Sequence, residues 1–142
     1  MAVKLFIDTW GWLELRDKRG SRHQEVKQYY VDFQQHGVIA YTSDYVLDET
    51  ITHLFSRLHF KAAQESVEAI QQAISAGFLR LEWITEARFD QALKLRLKLD
   101  DKPRISFTDL TSMAVMAELG VTDVLTEDDH FIQVGLGFNK VP

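Results

Sequence analysis

Short apolar runs that alternate with helix-like stretches constrain this chain more than any other feature. VKLFI at 3–7, VIAYT at 38–42, FLRLEWI at 78–84 and VTDVLT at 121–126 have the length and β-branched content of strands. VKLFI is almost continuously apolar, as suits a strand covered on both faces. Strands separated by helices pair in parallel, because a parallel pair needs a long crossover that a helix supplies. An α/β sandwich with a mainly parallel central sheet is expected, with GLGFNKV adding a short edge strand.

The connecting segments carry helix start and stop signals. A short helix is expected from Thr9 to about Asp17, and Ser21 reads as the N-cap of a helix that runs to His36 and stops at Gly37. Ser43 can cap a helix whose Leu47, Ile51, Leu54, Phe55 and Leu58 form one apolar stripe. Another helix covers about 61–76 and ends at Gly77. Thr85 opens a long helix that ends near Lys102-Pro103, and Thr108 caps a helix with Leu110, Met113, Ala114 and Ala117 at helical spacing and Gly120 as its stop.

A length of 142 residues with 46% hydrophobic content suits one core, so a single domain over 1–142 is expected. No apolar stretch approaches the roughly 18 residues that span a bilayer, and MAVKLFI is too short for the core of a secretion signal. A soluble, cytoplasmic protein without a membrane partner is the expectation. The absence of cysteine excludes disulfides, thiolate nucleophiles and cysteine-ligated zinc. A net charge of -5 argues against nucleic-acid binding through overall charge, though it leaves room for a local basic face.

The acids at the element junctions carry the chemistry. In a parallel α/β sheet the ligand crevice lies beyond the carboxyl ends of the strands. Asp8 ends the first strand, Asp128 lies just past the fourth, and Asp109 stands at the helix N-terminus in the connection leading into that fourth strand. Glu49 lies early in the helix after the second. Two carboxylates about 4 Å apart repel by roughly 4 kcal/mol at an effective dielectric near 20. Such a cluster must protonate in part or be neutralised by a cation. Carboxylates without cysteine or paired histidines are hard oxygen ligands that suit Mg²⁺ or Mn²⁺. The chemistry those ions serve is phosphodiester hydrolysis, in which water is activated and the leaving oxygen stabilised.

Each acid also has a structural reading. Asp8 can cap the helix starting at Thr9, and Asp109 sits where a helix dipole favours an acid by about 0.3 to 1 kcal/mol. Thr126 and Asp129 have the spacing of a capping pair, which gives Asp129 a structural role. A helical wheel places Glu49 nearly opposite the Leu47-Ile51-Leu54-Leu58 stripe and Asp48 at its edge, so periodicity alone prefers Asp48.

Taken in order, FIDTWGWLEL, TSDYVLDETITHL, ISFTDLTSMAVMAELG and VLTEDDHF resemble the acidic motifs of PIN-domain ribonucleases, including the VapC-type toxins, across nearly the whole chain. The resemblance implies a three-layer α/β/α fold and RNA cleavage dependent on Mg²⁺ or Mn²⁺. It places the family's acids on Asp8, Glu49, Asp109 and Asp128 and its hydroxyl on Thr126, choosing Glu49 over Asp48. The four acids would hold the metal, and Thr126 would orient a carboxylate or a water. It further implies a homodimer and, for a VapC-type member, a small antitoxin partner.

Cations for the RNA backbone are sought in Arg16, Lys18, Arg19, Arg22 and Lys27, and in Lys98, Lys102 and Arg104. Trp10 and Trp12 are candidates for base stacking, a partner groove or core packing. GLGFNK lacks the third glycine of a dinucleotide loop, and there is no HExxH, His-x-His or GxSxG; His130, adjoining the acidic loop, is the histidine to follow. Two other functions fit the pattern less fully. An aspartate-based phosphatase would show a second aspartate where Asp8-Thr9-Trp10 has none, and a catalytically silent RNA- or protein-binding module would bind without turnover.

Overall fold

The computed structural model describes residues 3–142; Met1 and Ala2, which open the MAVKLFI run, lie outside it. Among these residues five strands, β1 (Lys4–Ile7), β2 (Ile39–Ser43), β3 (Leu79–Glu82), β4 (Asp123–Leu125) and β5 (Asn139–Val141), form one sheet in the order β3-β2-β1-β4-β5. Every pairing is parallel, with Phe6 opposite both Tyr41 of β2 and Val124 of β4. Leu5, Phe6 and Ile7 are fully buried, as a central strand covered on both faces requires.

Among the described residues, seven helices flank the sheet: α1 (Thr9–Arg16), α2 (His23–Gln35), α3 (Asp44–Arg57), α4 (Phe60–Ser75), α5 (Glu86–Lys98), α6 (Phe107–Leu119) and α7 (His130–Gln133). The result is a three-layer α/β/α sandwich. From β1 the chain steps outward to β2 and β3, then returns to the other side of β1 for β4 and β5. The reversal lies between β1 and β4, so the crevice at their carboxyl ends is the switch point of the sheet.

Several boundaries differ from those read in the sequence. Arg22, not Ser21, occupies the N-cap of α2, and Ser106, not Thr108, caps α6, its hydroxyl accepting from Asp109 N at 3.1 Å. The helix opened by Thr85 stops at Lys98, four residues before Lys102. Its last turn is closed by the Arg96 guanidinium, which donates to the carbonyls of Leu99, Lys102 and Ile105 at 2.7–2.8 Å. The stripe of α3 is also displaced. Its buried row is Val46, Thr50 and Leu54, whereas Ile51 and Phe55 are each 39% exposed. Thr50 takes a core position because its hydroxyl donates to Val46 O at 2.8 Å, within the helix itself.

Candidate metal centre at the switch point

Asp8 follows β1 directly and occupies the N-cap position of α1, yet its side chain makes no capping bond. Instead Asp8 Oδ2 accepts a hydrogen bond from the Thr126 hydroxyl at 2.8 Å, across the gap between β1 and β4. Gly11 permits this closeness. A Cβ at that position would lie 2.6 Å from the Leu125 carbonyl oxygen, so only glycine lets α1 sit against the end of β4. Trp12 Nε1 donates to Thr42 Oγ1, which in turn donates to the carbonyl of Ile7, tying α1 to the ends of β1 and β2.

Thr126 is a hub. Besides donating to Asp8, its oxygen accepts from Asp128 N at 3.2 Å, while Asp128 Oδ1 accepts from His130 N at 2.9 Å. These bonds wind the β4–α7 connection tightly enough to turn Asp128 back over the crevice. Asp129 faces away and pairs with Lys140. The capping pair suggested by Thr126 and Asp129 does not form: Asp129 stands at the N-cap of α7 without a side-chain capping bond.

Asp109 enters from α6, a helix buried on most of its circumference. Ser106 supplies the cap, so the Asp109 carboxylate is not used for that purpose and is itself largely buried. Glu49 approaches from α3, where its Oε2 accepts from the Thr9 hydroxyl at 3.3 Å, one residue beyond Asp8. It is three residues on from Val46 and therefore lies on the shoulder of the true buried row, while Asp48 is exposed. The wheel failed because its Leu47-Ile51-Leu54-Leu58 stripe ran through Ile51, which the fold leaves at the surface, and missed Val46 and Thr50, which it buries.

Burial and mutual repulsion disfavour the charged form of these carboxyls. Burial, opposed by the Thr126 hydrogen bond and reinforced by the charges of Asp128 and Glu49, pushes the Asp8 carboxyl up to about 6. Asp109 is pushed up to about 8, by burial first, then by the charge of Asp8 and by Asp128 and Glu49. Four acids from four connections thus act on one another, and no lysine or arginine forms an ion pair with Asp8, Glu49, Asp109 or Asp128 among the described residues.

The residue whose part sequence reasoning underrated is His130. Its Nδ1 lies 3.2 Å from Asp128 Oδ1 and 4.0 Å from Asp109 Oδ2, and that buried nitrogen makes no hydrogen bond. Donor atoms of Asp109, Asp128 and His130 all fall within 4.8 Å of one another. A pocket of carboxylate oxygens with an unsatisfied imidazole nitrogen fits a divalent cation. The sequence signal was only adjacency: the tight turn made by Asp128 brings the residue two positions on back over the acids.

The other candidates are dispersed. Trp12 is buried in the core, whereas Trp10 is partly exposed with the Arg22 guanidinium 5.3 Å from its ring centre. Much of the first basic run is engaged: Arg16 with Ser66, Arg19 with Asp17, and Arg22 with Glu25 and Glu127. Lys18 and Lys27 edge a groove between α1, α2 and α4 whose lining includes Trp12, Leu15, Tyr30 and Ile70. Among the described residues, no helix is long and apolar enough to cross a membrane.

Known structures share this architecture. VapC20 of Mycobacterium tuberculosis, described as a sarcin-ricin loop cleaving toxin, superposes with a TM-score of 0.79 at 28% identity, over 96% of this chain and 98% of that one. VapBC2 of Rickettsia felis, bound to a promoter DNA fragment, gives 0.71 at 13% identity with 98% of each chain covered. DNA-bound VapBC of Salmonella typhimurium gives 0.66 at 15% identity, over 98% and 97%. No curated protein sequence matches the chain. The PIN domain family model matches residues 5–136, from the middle of β1 to beyond α7, and so takes in every element that builds the acidic crevice. The chain belongs to the PIN domain family.

Proposed function

We propose that this chain is a metal-dependent endoribonuclease, a single PIN domain over 1–142 that cleaves RNA in the cytoplasm as the toxin of a toxin-antitoxin pair. The observation that carries the reading is the meeting of Asp8, Glu49, Asp109 and Asp128 at the switch point, with two of them held well above the usual carboxylate range. In this reading those four acids hold Mg²⁺ or Mn²⁺. Family membership and the likeness to VapC20 support nuclease chemistry.

Each residue has a distinct task. Asp8 and Asp109 supply buried carboxylates, while Asp128 and Glu49 stand nearer solvent, where a phosphate can enter. Thr126 fixes the rotamer of Asp8 and the position of the Asp128 backbone, so that the two acids converge without help from substrate. His130 offers Nδ1 to the same space. When bound, a divalent ion supplies activation of water for attack on the phosphate and stabilisation of the leaving oxygen.

The antitoxin has a suitable seat. The groove between α1, α2 and α4, about 340 Å³, has an apolar floor and a rim carrying Arg16, Lys18 and Lys27. An amphipathic segment with acidic residues would bury its apolar face there and pair with the rim. A homodimer would cover the exposed Phe89, Leu93 and Leu97, which fall on one face of α5 at four-residue spacing.

The deciding experiment is cleavage of a panel of structured and single-stranded RNAs by the purified protein in Mg²⁺ or Mn²⁺, beside chelator and the Asp8→Asn variant. Metal-dependent cutting that both controls abolish is the expected result. Metal-independent RNA binding without any turnover would instead make the chain a binding module, and cutting that survives Asp8→Asn would place the chemistry elsewhere.

A further inference from the structure

The connection between α5 and α6, residues 99–106, is more fully hydrogen-bonded than a polar stretch reading LDDKPRIS would suggest. It folds as two successive turns, with Lys102 N donating to Leu99 O and Ile105 N to Lys102 O. Arg96, on the last turn of α5, drives its guanidinium into the inside of both. Its Nη1 donates to Ile105 O at 2.8 Å, and its Nη2 to Leu99 O at 2.8 Å and Lys102 O at 2.7 Å. One planar fork thereby holds three carbonyls, a geometry that a lysine ammonium does not reproduce.

What the pinned loop presents is a second pocket, about 250 Å³, lined by Lys102, Pro103, Arg104, His130 and Gln133. His130 is shared: its ring reaches the acidic crevice on one side and lines this pocket on the other. The pocket also has an acid, Asp101, but its carboxylate is held by Lys102 Nζ at 2.7 Å and is 68% exposed. Arg104 is exposed and has no carboxylate partner among the described residues. In this respect it differs from Arg19, Arg22 and Arg88, each of which is paired.

We propose that this pocket is a subsite for the phosphate of an RNA nucleotide flanking the scissile bond, with the Arg104 guanidinium as its anchor on a loop preorganised by Arg96. The proposal rests on the ribonuclease reading above. Its physical basis is local charge: on a protein of net charge -5 the strand needs a cation beside the acids, and a free guanidinium fork matches phosphate oxygens. Gln133 adds an amide that can donate to a ribose or base edge. Holding the loop in advance removes ordering entropy from the binding step.

The test is fluorescence anisotropy of a labelled single-stranded RNA of mixed sequence on the full chain. It is run in Mg²⁺ with Asp8→Asn as background to prevent turnover, over a range of KCl. Adding Arg104→Ala should weaken binding about 3- to 10-fold and flatten the plot of log affinity against log salt by about 0.7, the loss of one phosphate contact on a single strand. Arg104→Glu should weaken it further, and Lys61→Ala on α4 should leave it unchanged. Arg96→Lys keeps the charge but loses the fork, so it should weaken RNA binding while circular dichroism shows the fold intact. In the cleaving protein, Arg104→Ala should raise KM more than it lowers kcat.

Unchanged affinity and salt slope in Arg104→Ala and Arg104→Glu would overturn the subsite, and retained cleavage by the parent would leave the ribonuclease reading standing. Equal weakening by Lys61→Ala would overturn it too, by showing that only overall charge matters. A parent chain that neither binds nor cuts RNA would overturn both.

Discussion

The acids of this protein divide into two populations that differ in what they face. Glu118 on α6 and Asp129 before α7 sit at the surface beside Arg88 and Lys140, and each is held below its usual carboxylate range by that partner. Asp8 and Asp109 are buried, face other acids and are raised. The same functional group is thus paired with a cation of the protein in one place and left facing other carboxylates in the other. Position in the fold decides which: Glu118 is near the end of α6 and Asp109 in its first turn at the switch point, yet both belong to one helix.

Substitution within each population should give the largest contrast. Asp109→Asn should lower metal-dependent RNA cleavage by more than about 100-fold, since a bound ion supplies several kcal/mol to the reaction and about 1.4 kcal/mol is tenfold in rate. Asp129→Asn, only twenty residues along the chain, should leave kcat/KM within about twofold. Mn²⁺ titration by calorimetry should show the same split. Equal effects of the two would erase the distinction between raised and paired acids.

Stability against pH probes the same contrast without substrate. For Asp8 and Asp109 the folded-state pKa lies above the free carboxyl value of 3.8, so the folded state binds these protons more tightly than the unfolded state does. Their contribution to stability is fully present below about pH 4 and is lost as pH rises through about 6 and then about 8. Each pH step by which a folded-state pKa exceeds its free value is worth about 1.4 kcal/mol, so the loss amounts to several kcal/mol, shared between the two acids. Thermal melts in chelator should therefore fall between pH 5 and 9, and Mn²⁺ should restore most of the loss at pH 9. Asp109→Asn should flatten the chelator profile. A flat profile in the parent chain would mean that the buried acids are not under charge strain.

Much of the fold was legible because burial on both faces leaves a strong imprint. VKLFI, FLRLEWI and VTDVLT each contain a strand of the sheet, VIAYT holds all of β2 but Ser43, and Gly37, Gly77 and Gly120 follow α2, α4 and α6 in the left-handed conformation. The ordered motifs also drew attention to the acids that the fold brings together. What stayed hidden depended on tertiary context. The α3 wheel was misdrawn because periodicity cannot tell an apolar residue that enters the core, such as Val46, from one left outside, such as Phe55. It also cannot see that a threonine can be a core residue when its hydroxyl bonds within the helix. His130 was obscure for a related reason, since its approach to the acids is made by a turn of the backbone and not by spacing on a helix.

Packing at the crevice floor should respond less than charge. Gly11→Ala places a methyl group 2.6 Å from Leu125 O and 2.9 Å from its Cγ, so α1 or the end of β4 must move. Overpacking of this kind costs about 1 to 3 kcal/mol. Because Asp8 is the N-cap of α1 and Thr126 follows Leu125, the same shift lengthens their 2.8 Å bond. Weaker Mn²⁺ binding should therefore accompany the lower melting temperature. Gly37→Ala, where no atom lies within 4 Å and only backbone strain acts, should destabilise without touching metal affinity. If both variants left Mn²⁺ affinity unaltered, the close approach at Gly11 would be a packing feature alone.

The smallest expected effect has the opposite sign in pH and so sharpens the contrast most directly. Arg88 donates to both Glu118 and Glu82, and the pairing with Glu118 holds that carboxyl below its usual range. A depressed pKa contributes stability that is present above the free value of 4.5 and is lost as pH falls through the folded value. Glu118→Gln should then destabilise by less than about 1 kcal/mol at pH 7, since the acid is half exposed at 52% and solvent screens the pair. The difference from the parent should shrink in acid and in high salt, whereas the penalty carried by Asp8 and Asp109 grows toward alkaline pH. Melting curves of Glu118→Gln and Asp109→Asn at pH 4, 7 and 9 would display both trends at once. One helix would then carry at its two ends an acid that gains stability as its proton leaves and an acid that loses it, and only the second faces the other carboxylates of the crevice.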